Sequence, residues 1–242
     1  MKHLRPTPTE PSRTSRPLRS LANLIKVPLF VILALLVLLA VSEMPSIANL
    51  LAGLKPGNPR IGIIAGHWQY DTGAVCPDGL QEVGLNLQIA RRVAQILRNQ
   101  GCNVEVLPEY STKLEGYQAD VFLSIHCDSC IDELSGFKIA RMTHSTVPEM
   151  EDLLVNCLYE AYETATGLPR HENTITEDMR QYHALRRIAP ETPGAIIECG
   201  FMGGDRHLLE NEQDRVAVGI ANGIESFLTA RPDAEVTITS TP

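Results

Sequence analysis

Four residues that can bind metals or transfer protons stand at the ends of predicted strands or at the start of a predicted helix. His67 follows the apolar run 61–65 and Gly66, and His126 follows the run 121–125. Glu82 stands at the head of a periodic segment, and Glu198 follows the run 194–197. Open α/β sheets bind their ligands beyond the C-terminal ends of strands. The pattern therefore predicts one catalytic centre built from these side chains.

The residue types indicate a catalytic zinc site. Zinc in such sites takes three protein ligands from His and carboxylate and keeps one position open for water. His67, Glu82 and His126 meet that requirement, with His183 as an alternative ligand or transition-state donor. Glu198 is then free to take a proton from the water and to pass it to a leaving amine. Taken alone, Glu82 could instead complement a helix dipole, and His126 could be a hydrogen-bonded core residue.

Four motifs in chain order resemble the zinc-dependent N-acetylmuramoyl-L-alanine amidases, the cell-wall amidases of the Amidase_3 type. They are Gly66-His67-x-x-x-Asp71-x-Gly-Ala, Gly79-Leu-x-Glu82-x-x-x-Asn86-Leu, Ser124-Ile-His126 and Ile197-Glu198-x-Gly200-Phe201-Met. The resemblance covers residues 60–228. It implies a Zn²⁺ cofactor, a peptidoglycan substrate, and hydrolysis of the amide between the lactyl group of muramic acid and L-alanine. A zinc peptidase of related fold and a non-catalytic wall-binding module remain alternatives.

Some residues depart from the pattern of the family, and others are candidates for contact with the substrate. Trp68-Gln69 replaces the usual Gly-Gly, so that Trp68 either stacks on the substrate or only covers the loop. Cys127-Asp128 replaces the common Ala-Asn. Arg170 and Arg186 are candidates for binding the carboxylates of a stem peptide, although solvent exposure explains either one as well. Asp71 is expected to fix the first loop by accepting backbone N–H bonds.

The N-terminal region has the pattern of a membrane anchor. Residues 27–42 carry no charge, and the apolar segment extended to 24–42 is about long enough to span a bilayer. Residues 1–26 hold six basic residues and one acidic residue, which favours a cytoplasmic N-terminus. We therefore expect a single-pass protein of the bacterial cell membrane with an extracytoplasmic domain. The alternative is a secreted protein, with a signal peptide cleaved near Ala40-Val41-Ser42.

Composition divides the rest of the chain. Residues 1–23 are predicted to be a disordered cytoplasmic tail, 43–59 a linker, 60–230 the catalytic domain and 231–242 a flexible tail. Residues 56–242 contain 27 acidic and 14 basic residues. A domain this acidic is not expected to bind nucleic acid. We expect a monomeric catalytic domain.

Within that domain, predicted strands alternate with predicted helices. Strands are expected at 61–65, 103–107, 120–125, 136–141 and 194–198, and helices at 80–100, 148–166 and 213–228. This alternation indicates an α/β fold, and the resemblance implies a mixed, mostly parallel central sheet flanked by helices. Asp78 is the expected cap of the first helix, whose apolar face would consist of Val83, Leu87, Ala90, Ala94 and Leu97.

The six cysteines fall into two groups. Disulfide bonds are permitted in an exported domain, and Cys76 lies on a loop near the predicted metal site. We expect it to pair with Cys127 or Cys130. Cys102, Cys157 and Cys199 fall within predicted elements and are expected to be small buried apolar residues.

Overall fold

The structure is a computed structural model that describes residues 57–231. Its centre is a five-stranded sheet in the order β2-β1-β3-β5-β4. The strands are Arg60–Ala65 (β1), Asn103–Leu107 (β2), Val121–Asp128 (β3), Lys138–Ala140 (β4) and Gly194–Phe201 (β5). Neighbouring strands are parallel except β4, which pairs antiparallel with β5. The prediction of a mixed, mostly parallel sheet is confirmed.

Three long helices cover one face of the sheet. They are Glu82–Asn99 (α1), Pro148–Thr166 (α2) and Gln213–Ala230 (α5), and the short helices are Glu177–Arg180 (α3) and Arg206–Asn211 (α4). Ile61 and Ile63 of β1 and the buried residues of the long helices share one apolar cluster. Ile64 points the other way, into a smaller cluster formed with the segments 114–122 and 184–188. The sheet is buried on both faces, which explains why its central strands are continuous apolar runs.

Helix α1 differs from its prediction in its start and in its buried face. It begins at Glu82, and Asp78 is not its cap: the Asp78 carboxylate accepts from the backbone N–H of Leu80 and pairs with Arg206. Val83 and Leu87 are only half-buried. The buried face consists of Glu82, Leu85, Asn86, Ile89, Ala90, Val93, Ala94 and Leu97. The face is displaced because two of its polar residues, Glu82 and Asn86, turn inward to the candidate site.

The other bounds lie close to those predicted, with two differences that affect the site. Strands β3 and β5 continue past His126 and Glu198, to Asp128 and Phe201. Strand β4 is limited to three residues, and the expected loop 167–182 contains α3 and a 3-10 turn at Glu172–Thr174. The predicted cytoplasmic tail, the anchor 24–42 and most of the linker lie outside the described residues. Within residues 57–231, no helix is both long and apolar enough to cross a membrane.

Candidate active site

The loop after β1 places His67 at the C-terminal edge of the sheet. His67 has a left-handed backbone with φ of 65°, and its carbonyl accepts from the N–H groups of Tyr70 and Asp71. Gly66 packs directly against the imidazole of His126, because a Cβ atom at this position would lie 2.4 Å from Cε1 of that ring. A side chain at residue 66 would therefore displace one of the two histidines. Glycine is required here by the close approach of backbone and ring.

The predicted ligands His67, Glu82 and His126 form one cluster. Each offers a ligand atom, and these atoms lie within 4.8 Å of one another. Glu82 Oε2 is 3.2 Å from His67 Nε2, and Glu82 Oε1 is 3.2 Å from His126 Nδ1. Glu82 and His126 are buried, whereas His67 is half-buried. One carboxylate thus lies between two imidazoles at a site that stays accessible from one side.

The second nitrogen of each imidazole is held by another side chain. His67 Nδ1 lies 2.5 Å from Asp71 Oδ1, which also accepts from the N–H of Gly73. His126 Nε2 lies 3.2 Å from the hydroxyl oxygen of Tyr182. Metal-binding histidines use such partners to fix the ring and its tautomer. The residues present therefore fit a divalent metal ion, and Asp71 fixes the loop as expected.

Charge at this cluster favours a cation. Burial raises the pKa of Glu82, but hydrogen bonds from His126 and His67 outweigh it and lower the pKa below its usual value. The hydrogen bond to Glu82 raises the pKa of His67 to about 9; burial opposes this shift and Asp71 adds to it. An ionised carboxylate between two imidazoles thus attracts positive charge, which either protons or a metal ion can supply.

Glu198 lies beside the cluster, and one of its carboxyl oxygens has no hydrogen-bond partner among the described residues. It is the neighbour of His126 in the register of β3 and β5, and its Oε2 atom is buried without a partner in the described structure. Burial raises the pKa of Glu198 to about 8; Glu82 and Asp128 add to the shift, whereas His126 opposes it. A carboxyl group in this environment can take up and release a proton near neutral pH.

The backbone and Asn86 hold the Glu82 carboxylate in place. Asn86 is fully buried and donates from Nδ2 to Glu82 Oε1 at 3.0 Å and to the carbonyl of Gly66 at 3.2 Å. The N–H groups of Ala74 and Cys127 also donate to Glu82, at 3.0 and 3.3 Å. The Asn86 position of the second motif is thus explained by its contact with a candidate ligand.

A further buried carboxylate, Glu109, was not predicted. It follows β2 and accepts hydrogen bonds from the His67 N–H at 2.7 Å, from His183 Nε2 at 2.7 Å and from the Tyr182 hydroxyl. Burial raises its pKa, but the hydrogen bond from His183 and the charge of His126 outweigh it and lower the pKa to about 2. The available signal was its place beyond the end of a strand, which is the same signal that identified His67, His126 and Glu198.

The family of the chain follows from comparison with known proteins. The sequence profile described as N-acetylmuramoyl-L-alanine amidase matches residues 61–226. This chain belongs to the N-acetylmuramoyl-L-alanine amidase family. The N-acetylmuramoyl-L-alanine amidase AmiA of Salmonella typhimurium is 36% identical over 227 residues, covering 72% of this chain and 78% of that protein. The members of this family are hydrolytic enzymes, which confirms the predicted class of enzyme.

Solved structures agree with this assignment. The catalytic domain of CwlV, an N-acetylmuramoyl-L-alanine amidase from Bacillus (Paenibacillus) polymyxa, aligns with a TM-score of 0.56 at 26% identity, covering 72% of this chain and 99% of that one. The CwlD amidase of Clostridioides difficile, solved in complex with the GerS lipoprotein, aligns with a TM-score of 0.59 at 20% identity. That alignment covers 72% of this chain and 100% of CwlD and shows the shared fold.

The three residues predicted to contact the substrate lie in three different surroundings. Trp68 is half-buried, packs against the main core, and accepts the N–H of Glu109 at its carbonyl. Arg170 forms ion pairs with Glu160 and Glu163 on α2, and Arg186 is exposed to solvent. Neither arginine contacts the three-residue cluster in the described structure. His183, the alternative ligand, contacts Glu109 and does not belong to the cluster.

One disulfide bond fixes the loop between β1 and α1. Cys76 pairs with Cys130, with their Cα atoms 5.4 Å apart, which is one of the two pairings expected. Cys127 is buried within β3 instead. Cys102 and Cys199 are buried as predicted, whereas Cys157 is only half-buried. The bridge joins the loop that precedes Glu82 to the segment that follows His126.

Proposed function

We propose that this chain hydrolyses the amide bond between the lactyl group of N-acetylmuramic acid and the L-alanine of peptidoglycan stem peptides, with one bound Zn²⁺. The observation that carries this proposal is the His67–Glu82–His126 cluster with the unpartnered carboxyl of Glu198 beside it. Membership of the amidase family supports the substrate class. The cluster matches the ligand number and types of catalytic zinc sites.

The three residues of the cluster would hold the ion through nitrogen and carboxylate oxygen atoms. A zinc ion bound there supplies Lewis-acid polarisation of the scissile carbonyl and lowers the pKa of a bound water. Asp71 and Tyr182 keep the two imidazoles in orientation through the nitrogens that face away from Glu82. Glu109 fixes the His67 backbone and Tyr182 together and thus supports both histidines from one side.

Glu198 is proposed as the general base and acid of the reaction. Its carboxylate would take a proton from the attacking water and deliver it to the nitrogen of the departing L-alanine. No hydrogen bond within the described residues occupies Oε2, so this atom is available for the proton. Burial of this oxygen beside the cluster also raises the pKa of the carboxyl toward neutral pH, which suits an acid–base group.

Digestion of purified peptidoglycan tests this function. The expected products are free stem peptides with L-alanine at the amino terminus, identified by mass spectrometry, without new reducing sugar ends. Products with cleaved bonds inside the peptide would favour the zinc peptidase. Co-sedimentation with the wall and no released peptide, at full zinc occupancy, would favour the non-catalytic binding module. Glu198→Gln serves as the matched control, since it keeps the shape of the side chain.

We also propose that the segment 24–42 anchors this domain outside the membrane. The support is its lack of charge and the basic residues before it. The protein is expected to stay in the membrane fraction after carbonate washing, with a C-terminal tag accessible from outside. Recovery of the activity from the medium, with an amino terminus near Glu43, would establish cleavage of a signal peptide instead.

A further inference from the structure

Three aromatic rings contact one another beside the candidate active site, two of them stacked and the third tilted. The rings of Tyr70 and Tyr110 have centroids 4.4 Å apart and are tilted by 60°, whereas those of Tyr110 and His183 lie 4.2 Å apart and nearly parallel, at 17°. Tyr70 is 64% exposed and Tyr110 is 50% exposed. We call Tyr70, Tyr110 and His183 the tyrosine platform. Its two tyrosines are the exposed large aromatic side chains of the described region.

The tyrosine platform is joined to the candidate ligands by short contacts. Tyr70 donates its backbone N–H to the carbonyl of His67, three residues earlier in the same loop. His183 is held by Glu109, which directly precedes Tyr110 and also accepts the His67 N–H. Because Glu109 is buried and makes both bonds, the platform and His67 are fixed to one another. A group bound on the platform would thus lie next to a group bound at the cluster.

The two tyrosine rings do not contribute to the apolar core. Tyr70 and Tyr110 belong to neither of the two larger apolar clusters, and burial of their faces by a ligand would remove apolar surface from water. Of the exposed large apolar side chains, Val75 and Ile131 also lie on loops of this edge, beside Cys76 and Cys130 of the disulfide bond. Exposed apolar side chains that share one edge of the sheet with a candidate active site indicate ligand binding.

We propose that the tyrosine platform binds a neutral sugar ring of the glycan strand, next to the muramic acid whose amide lies at the cluster. This inference rests on the proposed function and adds a subsite to it. The face of an aromatic ring packs well on a pyranose, because the axial C–H groups on one side of the sugar chair form an apolar patch that contacts the electron-rich π face.

The charges around the platform favour a sugar over a stem peptide. The carboxylates of Asp71 and Glu109 interact electrostatically with the Tyr110 side chain, and Arg187, the nearby cation, is paired with Glu115. Asp71 and Glu109 are themselves paired with His67 and His183, so none of these groups is a free cation that could bind the carboxylates of a stem peptide. An uncharged N-acetylhexosamine does not need such a cation. The platform therefore fits the glycan side of the scissile bond better than the peptide side.

Direct binding of a peptide-free sugar tests the subsite independently of catalysis. The purified full chain is titrated with the tetrasaccharide of N-acetylglucosamine, and binding is followed by calorimetry and by the fluorescence of Trp68, the single tryptophan of the chain. Tyr110→Ala is expected to weaken binding roughly three- to tenfold, the value of one lost aromatic stacking contact. Tyr110→Phe keeps the ring and is expected to bind within about twofold of the wild type.

Matched variants separate recognition from folding. Val218→Ala removes an exposed apolar side chain on α5 and is expected to leave binding unchanged. Tyr70→Ala is also expected to weaken binding. It serves as the test if Tyr110→Ala fails to fold. An undetectable affinity of the wild type for the tetrasaccharide, or equal affinities of the wild type and folded alanine variants, would overturn the subsite. Tighter binding of a free stem peptide, lost in Tyr110→Ala, would assign the platform to the peptide and likewise overturn it.

Steady-state kinetics give a second, separable readout. On wall fragments with long glycan strands, Tyr110→Ala is expected to raise KM by the same factor as it weakens sugar binding and to leave kcat unchanged. On a single muramoyl-peptide without neighbouring sugars, the variant and the wild type should have equal KM values. Hydrolysis of both substrates with no effect of Tyr110→Ala would leave the proposed function standing and remove the subsite.

Discussion

Replacement of Glu109 by alanine is expected to destabilise the domain strongly although this residue is not a proposed ligand. Its carboxylate is 4% exposed and accepts three hydrogen bonds, from the His67 N–H, His183 Nε2 and the Tyr182 hydroxyl. Hydrogen bonds to a charged group contribute about 1.5–3 kcal/mol each. Because water enters the space left by the side chain and restores some of them, we expect a loss of about 3–5 kcal/mol in the free energy of unfolding.

Urea unfolding measures this loss, and two variants make it specific. Glu109→Gln is expected to lose about half as much, because an amide oxygen still accepts the His67 N–H and His183 can shift its proton to Nδ1, which has no partner in the described structure. Glu115→Ala removes an exposed carboxylate that pairs with Arg187 and should change stability by at most about 0.5 kcal/mol. If Glu109→Ala is no less stable than Glu115→Ala, the role given to Glu109 is wrong.

Three more predictions concern the packing of the site and of the domain around it. Gly66→Ala should lower the metal content of the purified protein, because its Cβ would lie 2.4 Å from the His126 ring. The control Gly84→Ala in α1, with no neighbour within 4 Å, should keep the metal. Equal metal contents of the two variants would contradict the close packing of Gly66. Cys76→Ala opens a disulfide that spans 54 residues and should cost about 2–4 kcal/mol in urea unfolding; an unchanged unfolding midpoint would show that the bridge is absent. Burial raises the pKa of Glu151, so its contribution to stability is largest below its usual pKa and is lost as the pH rises through the raised value. Glu151→Gln should therefore stabilise the protein at pH 8 by roughly 0.5–1.5 kcal/mol and not at pH 4, and a constant difference across this range would argue against a buried charge.

The candidate ligands could be predicted because the sheet is parallel and buried. Apolar runs that end in a polar residue mark the C-terminal ends of such strands, and β1, β3 and β5 place these ends side by side. His67, His126 and Glu198 are therefore close in space although they lie far apart in the chain. Glu82 required the resemblance to the family as well, since an acidic residue at the start of a helix often only complements the dipole.

The contacts of the features that were missed join residues far apart in the chain, and no local pattern encodes them. Glu109 comes after Pro108 at the end of β2, and its contacts with Tyr182 and His183 join residues more than 70 positions apart. Asp78 has the chemistry of a helix cap, but its side chain forms a turn with Leu80 instead. Local propensity describes what each residue can do, and tertiary packing decides which option is used.

The choice between the two disulfide partners has a similar explanation. The apolar run of β3 was expected to end near residue 125, which would have left Cys127 on a loop. The strand continues to Asp128, so that Cys127 lies within the sheet and is buried. Cys130 lies beyond the strand end, where it can reach Cys76. Three more residues of strand decide which thiol is available.

The most direct test of the proposed mechanism compares zinc content and turnover in Glu198→Gln and His126→Ala. Elemental analysis of the wild type should give one zinc ion per chain. Glu198→Gln should keep this zinc and lose hydrolysis of muramoyl-peptides by roughly 10²–10⁴, the usual contribution of a positioned acid–base group. His126→Ala should lose the zinc itself. Near wild-type turnover in Glu198→Gln, or undiminished zinc in His126→Ala, would contradict the assignment of the base and of the ligands.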